Sequence, residues 1–337
     1  MSGLTGKLWP SHPKPQQDEL LSSWLSRVAL SNAPRAHTFC HLVWPNKQIW
    51  TRDIDLCGDE ALITSLSQHT ATSLDKARST KLEVFEGIVF EKLIQNGRTR
   101  WIMPTGVFHR ERTRFGLQWC PLCFQSDDVS YFRKHWRFAF VSCCPRHGVI
   151  LADRCHNCGS PVLPFNRGPN ICHLCGIDLR DYPVVIGESV ALQFEYCLIK
   201  RAYDGHTCLA PYEPIYPIAY FDIIRRLVQL IAFSNHAQQL REIIARRYGG
   251  DPSPPVYDPD RHDIEFIPPK DRHKLMGLVA RILPGWPFRL IGVCSEAEVW
   301  SSQILKDMKP VRYHLWEPTK QYLSGIALPR RTGNKNI

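Results

Sequence analysis

The sequence predicts a mainly α-helical chain. A helical, helix-turn-helix-like module stands at the N-terminus and another helical module at the C-terminus, with a loop-rich segment of small ribbon-like β elements between them. Three observations carry this reading. Apolar residues recur at helical spacing near both ends. Between about residues 97 and 183 the composition shifts to cysteine, proline, glycine and basic aromatic runs. In that same segment, four pairs of metal-ligating residues follow one another, each pair enclosing two residues.

The elements follow in chain order. In DELLSSWLSRVALSNA, Leu20, Leu21, Trp24, Leu25, Val28 and Ala29 trace one face of a helix that Asn32 and Pro34 end. RAHTFCHLVW reads as a second short helix and DEALITSLSQHT as a third. A break at Ala71 and Thr72 leads into SLDKARST, the outline of a helix-turn-helix. Thr72 is the expected cap of that last helix, with Asp75 answering it. Asp75, Lys76 and Arg78 then stand where a recognition helix carries its reading residues. An ordinary helical hairpin packed into a small bundle fits the same pattern.

Further on, Trp136, Phe138, Phe140 and Ser142 alternate with Arg137, Ala139, Val141 and Cys143, as in a half-buried strand. YEPIYPIAYFDIIRRLVQLIAFS and NHAQQLREIIARRY read as amphipathic helices, with Pro217 near the start of the first. A proline-rich stretch separates them from the helix KDRHKLMGLVARIL, which Pro284, Gly285 and Pro287 break. Ser295 and Glu298 suggest a capping box for SEAEVWSSQILKDM. The tail PRRTGNKNI is polar and basic, the composition of a mobile end. The resulting division is 1–96 helical, 97–183 metal-binding, 184–250 helical, 251–269 linker and 270–337 helical with a basic tail.

The pairs are Cys120 and Cys123, Cys144 and His147, Cys155 and Cys158, and Cys172 and Cys175. Two intervening residues let one tight turn aim both ligands at a single ion. Thiolate with imidazole selects zinc over magnesium or calcium, so eight ligands imply two Zn2+ per chain. These are two tandem zinc fingers with zinc-ribbon-like β elements; an iron–sulfur cluster is the alternative metal. Gly148, Gly159 and Gly176 follow the second ligand of a pair, where a sharp turn favours glycine. Sequential pairing is favoured over a cross-brace because the connection from Gly148 to Arg154 is long for the latter. Buried thiols packed as small apolar residues are the competing account. With four ligands each, neither site keeps the open position of catalytic zinc.

Lys plus Arg number 42 against 32 Asp plus Glu, a net charge of +10. That balance favours a polyanionic partner, nucleic acid before membrane. Arg133, Lys134 and Arg137 are candidate phosphate contacts beside aromatic stacking surfaces, although the aromatics also suit the core of the metal segment. The cluster His109, Arg110, Arg112 and Arg114 fits a solvated loop equally well. With 44% hydrophobic residues the chain is not disordered. It shows no signal-peptide pattern and no apolar run of spanning length, so a cytoplasmic location is expected. Thirteen cysteines there stay reduced. Cys40, Cys57, Cys197, Cys208 and Cys294 lack paired spacing. GxxxxGK[ST], GxSxG and HExxH are absent.

In the order DELLSSWLSRVA, CPLC, SYFRKHWRF, CCPRHGVIL and CHNCG, residues 15 to 180 resemble the TniQ and TnsD family of transposon target-selection proteins. The resemblance implies helix-turn-helix modules and two zinc fingers. For the first site it favours Cys144 with His147 over Cys143. It also implies a non-catalytic adaptor that binds target DNA or a guide-RNA effector complex and recruits an AAA+ ATPase and its transposase. A second copy of the chain is a further candidate partner. A zinc-containing, sequence-specific transcriptional regulator is the rival reading. An enzyme such as a nuclease or deaminase comes third, and no HxE element accompanies the cysteine pairs.

Overall fold

Helix α1 (Leu21–Asn32) starts where the apolar stripe starts and buries Leu21, Trp24, Leu25, Val28 and Ala29. It opens a computed structural model that describes residues 7–95, 97–108, 111–209, 214–306 and 308–324. Helix α2 (Ala36–Val43) brings in Phe39. Helices α3 (Ile54–Cys57) and α4 (Glu60–His69) are capped by Asp53 and Asp59, whose carboxylates accept backbone N–H groups that no carbonyl of the helix can reach. With α5 (Leu74–Arg78) they enclose a first apolar core around Trp24, Phe39, Ile63 and Leu66.

The turn into α5 departs from the expected register by one residue. Ser73 is the cap and accepts the Lys76 N–H at 3.3 Å. Thr72 is buried, its Oγ1 2.8 Å from that of Thr70. Ala71, at φ 50°, reverses the chain and turns Thr72 inward. The helix that follows has 5 residues, little more than one turn.

Strands β1 (Val107–Phe108) and β2 (Glu111–Arg112) pair antiparallel, Val107 opposite Arg112 and Phe108 opposite Glu111, and form the single sheet among the described residues. Helix α6 (Pro121–Ser126) begins with a proline at its first turn, where the missing N–H costs nothing. The stretch from Trp136 to Cys143 is not a half-buried strand. Lys134–Arg137 forms a 3-10 turn, and from Trp136 to Cys143 side chains of both parities are buried. Alternation predicts one wet face, whereas here neighbouring segments cover both. Helix α7 (Pro164–Arg167) sends Phe165 back to the first core, its ring 4.5 Å from that of Trp50.

Helix α8 (Ser189–Asp204) lies within the span 184–250 expected to be helical, ahead of the two helices singled out there, and its own signals are present. Glu188 accepts the N–H groups of Val190 and Ala191, and Ala191, Phe194, Leu198 and Ala202 recur at helical spacing. Gly205 ends the helix in the left-handed conformation. Helices α9 (Pro217–Phe233), α10 (Ala237–Tyr248) and α11 (Pro269–Ile282) lie where expected. After the proline break, α12 (Phe288–Glu296) already contains Ser295, and Glu298 sits at φ 54° outside any helix. The expected capping box is therefore absent, and α13 (Ser301–Ile304) starts later, before α14 (Tyr313–Leu323).

A second apolar core takes in Leu20 and runs from Leu82 through the cysteine-rich segment and on to Leu323. Residues 251–269 are not a free tether. Ile264 and Ile267 are buried, and Glu265 accepts the Trp101 N–H at 2.7 Å while pairing with Arg225. The basic tail lies outside the described residues. No helix among those described is long and apolar enough to cross a membrane.

Candidate metal centres

Three of the four ligand pairs sit on the same turn. Gly148 donates its N–H to the Cys144 carbonyl, Gly159 to Cys155 and Gly176 to Cys172, at 2.8, 2.9 and 3.0 Å. One residue later the chain returns: the N–H groups of Cys144, Cys155 and Cys172 donate to Val149, Ser160 and Ile177. The three glycines have φ of 66°, 71° and 77°, a region where a Cβ is penalised. The fourth pair uses a helix instead. Cys120 is the N-cap of α6, with the Cys123 N–H 3.4 Å from its sulfur, and both side chains leave the same end of the helix.

These turns gather the ligands into two groups, Cys120, Cys123, Cys144 and His147, and Cys155, Cys158, Cys172 and Cys175, with ligand atoms in each within 4.8 Å of one another. The pairs therefore combine in sequence order, without interleaving. In the first group the Cys123 and Cys144 sulfurs are 3.7 Å apart, and His147 Nδ1 lies 3.4 Å from Cys120 and 3.3 Å from Cys123. In the second, Cys155 to Cys175 and Cys158 to Cys172 are both 3.6 Å. A tetrahedron with metal–sulfur bonds of about 2.3 Å has edges of about 3.8 Å, so both groups are spaced to hold a metal ion.

The electrostatics of the first group point the same way. Hydrogen bonds from Cys120 and then Cys123 pull the Cys144 thiol down to about 2. The Cys123 thiol is pushed far up by its contacts with Cys120 and then Cys144. Thiols this close oppose one another's ionisation, and a bound cation would favour the thiolate form of each. The second group is more open, with Cys155 and Cys172 buried and Cys175 exposed.

Two neighbours are left aside. Cys143 is buried and outside the group, and a Cβ on Gly187 would lie 2.6 Å from its sulfur. Burial raises its thiol pKa, the behaviour of a packed thiol. His156 is exposed, its ring 5.5 Å from that of Tyr182. Cys40 and Cys294 are buried singly, and no disulfide occurs among the described residues.

The candidate phosphate contacts divide. Lys76 and Arg78 are exposed on α5, and Arg78 pairs with Glu60. Arg133, Lys134 and Arg137 are turned inward, which corrects the expectation that they face a nucleic acid. Arg137 is 0% exposed and pairs with Asp53 and Asp55 at 2.7 and 2.8 Å. Lys134 donates to the Ser79 carbonyl at 2.5 Å and faces Asp18. Arg133 pairs with Asp127 at 2.7 Å and lies over the rings of Tyr131 and Trp136. Their carboxylate partners all lie outside the basic run, which therefore gives no sign that it is neutralised inside the fold. His109 and Arg110 lie outside the described residues.

The fold and site together define a helical protein that carries two four-residue groups, each able to hold a metal ion. Residues 10–151, from the segment before α1 through the first group, match the model of the TniQ family. This part of the chain is a TniQ domain, and that domain supports a transposition-associated role in target selection. No curated protein matches the chain.

Proposed function

We propose that the chain is a non-catalytic target-selection adaptor whose two metal-binding groups hold structural zinc. The observation that carries this reading is the completion of a four-ligand group, Cys120, Cys123, Cys144 and His147, inside the segment that matches TniQ. Three thiolates and an imidazole suit zinc, and four protein ligands leave no position for water or substrate. When bound, such an ion contributes folding free energy on the order of 10 kcal/mol. The residues around it then form a fixed surface: α6 through its cap, and the Cys144 turn through its two backbone hydrogen bonds.

On this reading the adaptor engages target DNA or a guide-RNA effector complex and recruits an AAA+ ATPase and, through it, the transposase. The test combines metal analysis with association. Purified protein carries two zinc ions per chain and binds the ATPase encoded beside it, with or without target DNA. No association under any condition, together with sequence-specific DNA binding, would favour a regulator instead.

A further inference from the structure

A cleft of about 570 Å3 opens between β1 and the segment that precedes α11, and four arginines line it: Arg52, Arg98, Arg114 and Arg261. Three of them share one aromatic ring. The guanidinium carbons of Arg114, Arg261 and Arg98 stand 4.7, 5.3 and 5.7 Å from the centre of Phe266. Cations attracted to one ring repel one another, so the cluster persists only if something offsets the repulsion.

The carboxylates nearby do so in part. Arg98 pairs with Asp263 at 2.7 Å and Arg261 with Asp258 at 3.3 Å. Asp53, which lines the cleft, is committed to Arg137 and Thr105. Asp260 stands exposed in the lining. Arg114 makes no ion pair among the described residues, the Asp258 carboxylate acting on it only at longer range, and its buried Nη1 finds no acceptor. It is half-buried while the other three arginines are exposed, so it lies deepest. Burial, then Arg261 and Arg98, draw its pKa below the ordinary arginine value. A guanidinium still stays charged at neutral pH.

Its position also depends on a glycine. Gly106 has φ 58°, and a Cβ there would stand 2.6 Å from Arg114 Cγ.

We propose that this cleft binds a backbone phosphate of a nucleic-acid strand, with Arg114 at its base and Arg52, Arg98 and Arg261 at its mouth. The assignment rests on the adaptor reading only for the identity of the polyanion. Guanidinium groups match phosphate oxygens in pairs, and a chain of net charge +10 favours approach of a polyanion. Arg133, Lys134 and Arg137 do not line this cleft, although Arg137 reaches its wall through Asp53, and their charges are neutralised inside the protein.

The test measures binding of fluorescent duplex DNA and single-stranded RNA to the full chain over a range of salt. Arg52→Gln combined with Arg261→Gln is compared with Lys320→Gln, a charge removed from an exposed position on α14. Each phosphate no longer neutralised should reduce the salt slope by about 0.9 for duplex or about 0.7 for a single strand, the former about a fivefold change between 0.15 M and 1 M salt. Lys320→Gln should leave the slope unchanged.

Equal effects of the two variants would overturn the proposal, as would displacement of the strand by an acidic peptide that shows the same arginine dependence. Displacement by inorganic phosphate at constant ionic strength would overturn the assignment to a strand. Zinc content of both variants is measured alongside, and Arg114→Gln provides a second variant at the base. Loss of ATPase association with nucleic-acid binding intact would count against the adaptor reading and leave the cleft standing.

Discussion

Arg137 holds the TniQ domain together from inside, and replacing it should be costly in a pH-dependent way. Its guanidinium meets Asp55 at 2.8 Å and Asp53 at 2.7 Å and donates to the Met103 carbonyl at 3.0 Å. Asp55 also accepts the N–H and hydroxyl of Ser22, so one ion cluster ties α1 and α3 to the 3-10 turn between the two halves of the first metal group. Arg137→Met keeps the apolar stem and removes the charge. The two carboxylates are then left in the interior without their cation, at a cost of about 3–5 kcal/mol. Set against a whole-protein stability of roughly 5–15 kcal/mol, that is a large fraction.

The sign of the pH dependence follows from Asp55. Burial raises its pKa above the usual carboxylate value, and Arg137 opposes that rise. Without Arg137 the rise is larger, opposed only by the two hydrogen bonds from Ser22. A raised carboxyl pKa means that the folded state takes up a proton more readily than the unfolded state does. The penalty is therefore full above the folded pKa and fades as pH falls through it toward the unfolded value. Urea unfolding followed by tryptophan fluorescence at several pH values measures it. A loss below about 1 kcal/mol, or a deficit that does not shrink on acidification, would refute the reasoning.

Cys144→Ser is expected to lower the metal content from two ions to one per chain by mass spectrometry, and Cys143→Ser to leave it at two; the opposite result would reassign the ligand. Gly159→Ala meets no atom within 4 Å, so its cost is that of the backbone at φ 71°, about 1–2 kcal/mol, and should appear as weaker metal retention by the second group against a chelator. Leu198→Ala, fully buried on α8, should destabilise the second core by about 2–5 kcal/mol in denaturant unfolding. Chelation should make residues 120–176 protease-sensitive, and protection that survives metal removal would contradict a structural role for the ions.

What could be read from the sequence was what is encoded locally. The ligand pairs and their glycines lie within four or five residues of one another, and a turn of that length is fixed by its own backbone. Helices α1, α9, α10 and α11 were legible because their apolar stripes are long. Helix α8 was equally legible from Glu188, Phe194, Leu198 and Gly205, within a span read as helical but without a helix drawn there. The failures had distant causes. Arg133, Lys134 and Arg137 looked like a basic surface because Asp127, Asp18, Asp53 and Asp55 are contributed from outside the run. The alternation from Trp136 to Cys143 looked like a strand because nothing nearby reveals that both of its faces are covered. The cap at Ser73 depended on the unusual φ of Ala71, and Thr72 alone does not report it.

Helix α11 reaches into the segment that leads to Cys144. Arg272, fully buried, donates to the carbonyls of Ala139 and Val141 at 2.5 and 3.0 Å. His273 Nδ1 lies 2.8 Å from Glu195 of α8, whose carboxylate in turn accepts the N–H groups of Ser142 and Cys143 at 2.8 and 2.9 Å. The carbonyls and amides just before the second pair of the first metal group thus find their partners more than fifty residues downstream. A protease that cuts the chain once between α8 and α11 would leave two fragments that migrate together until denatured, the C-terminal fragment acting as the missing half of the N-terminal one.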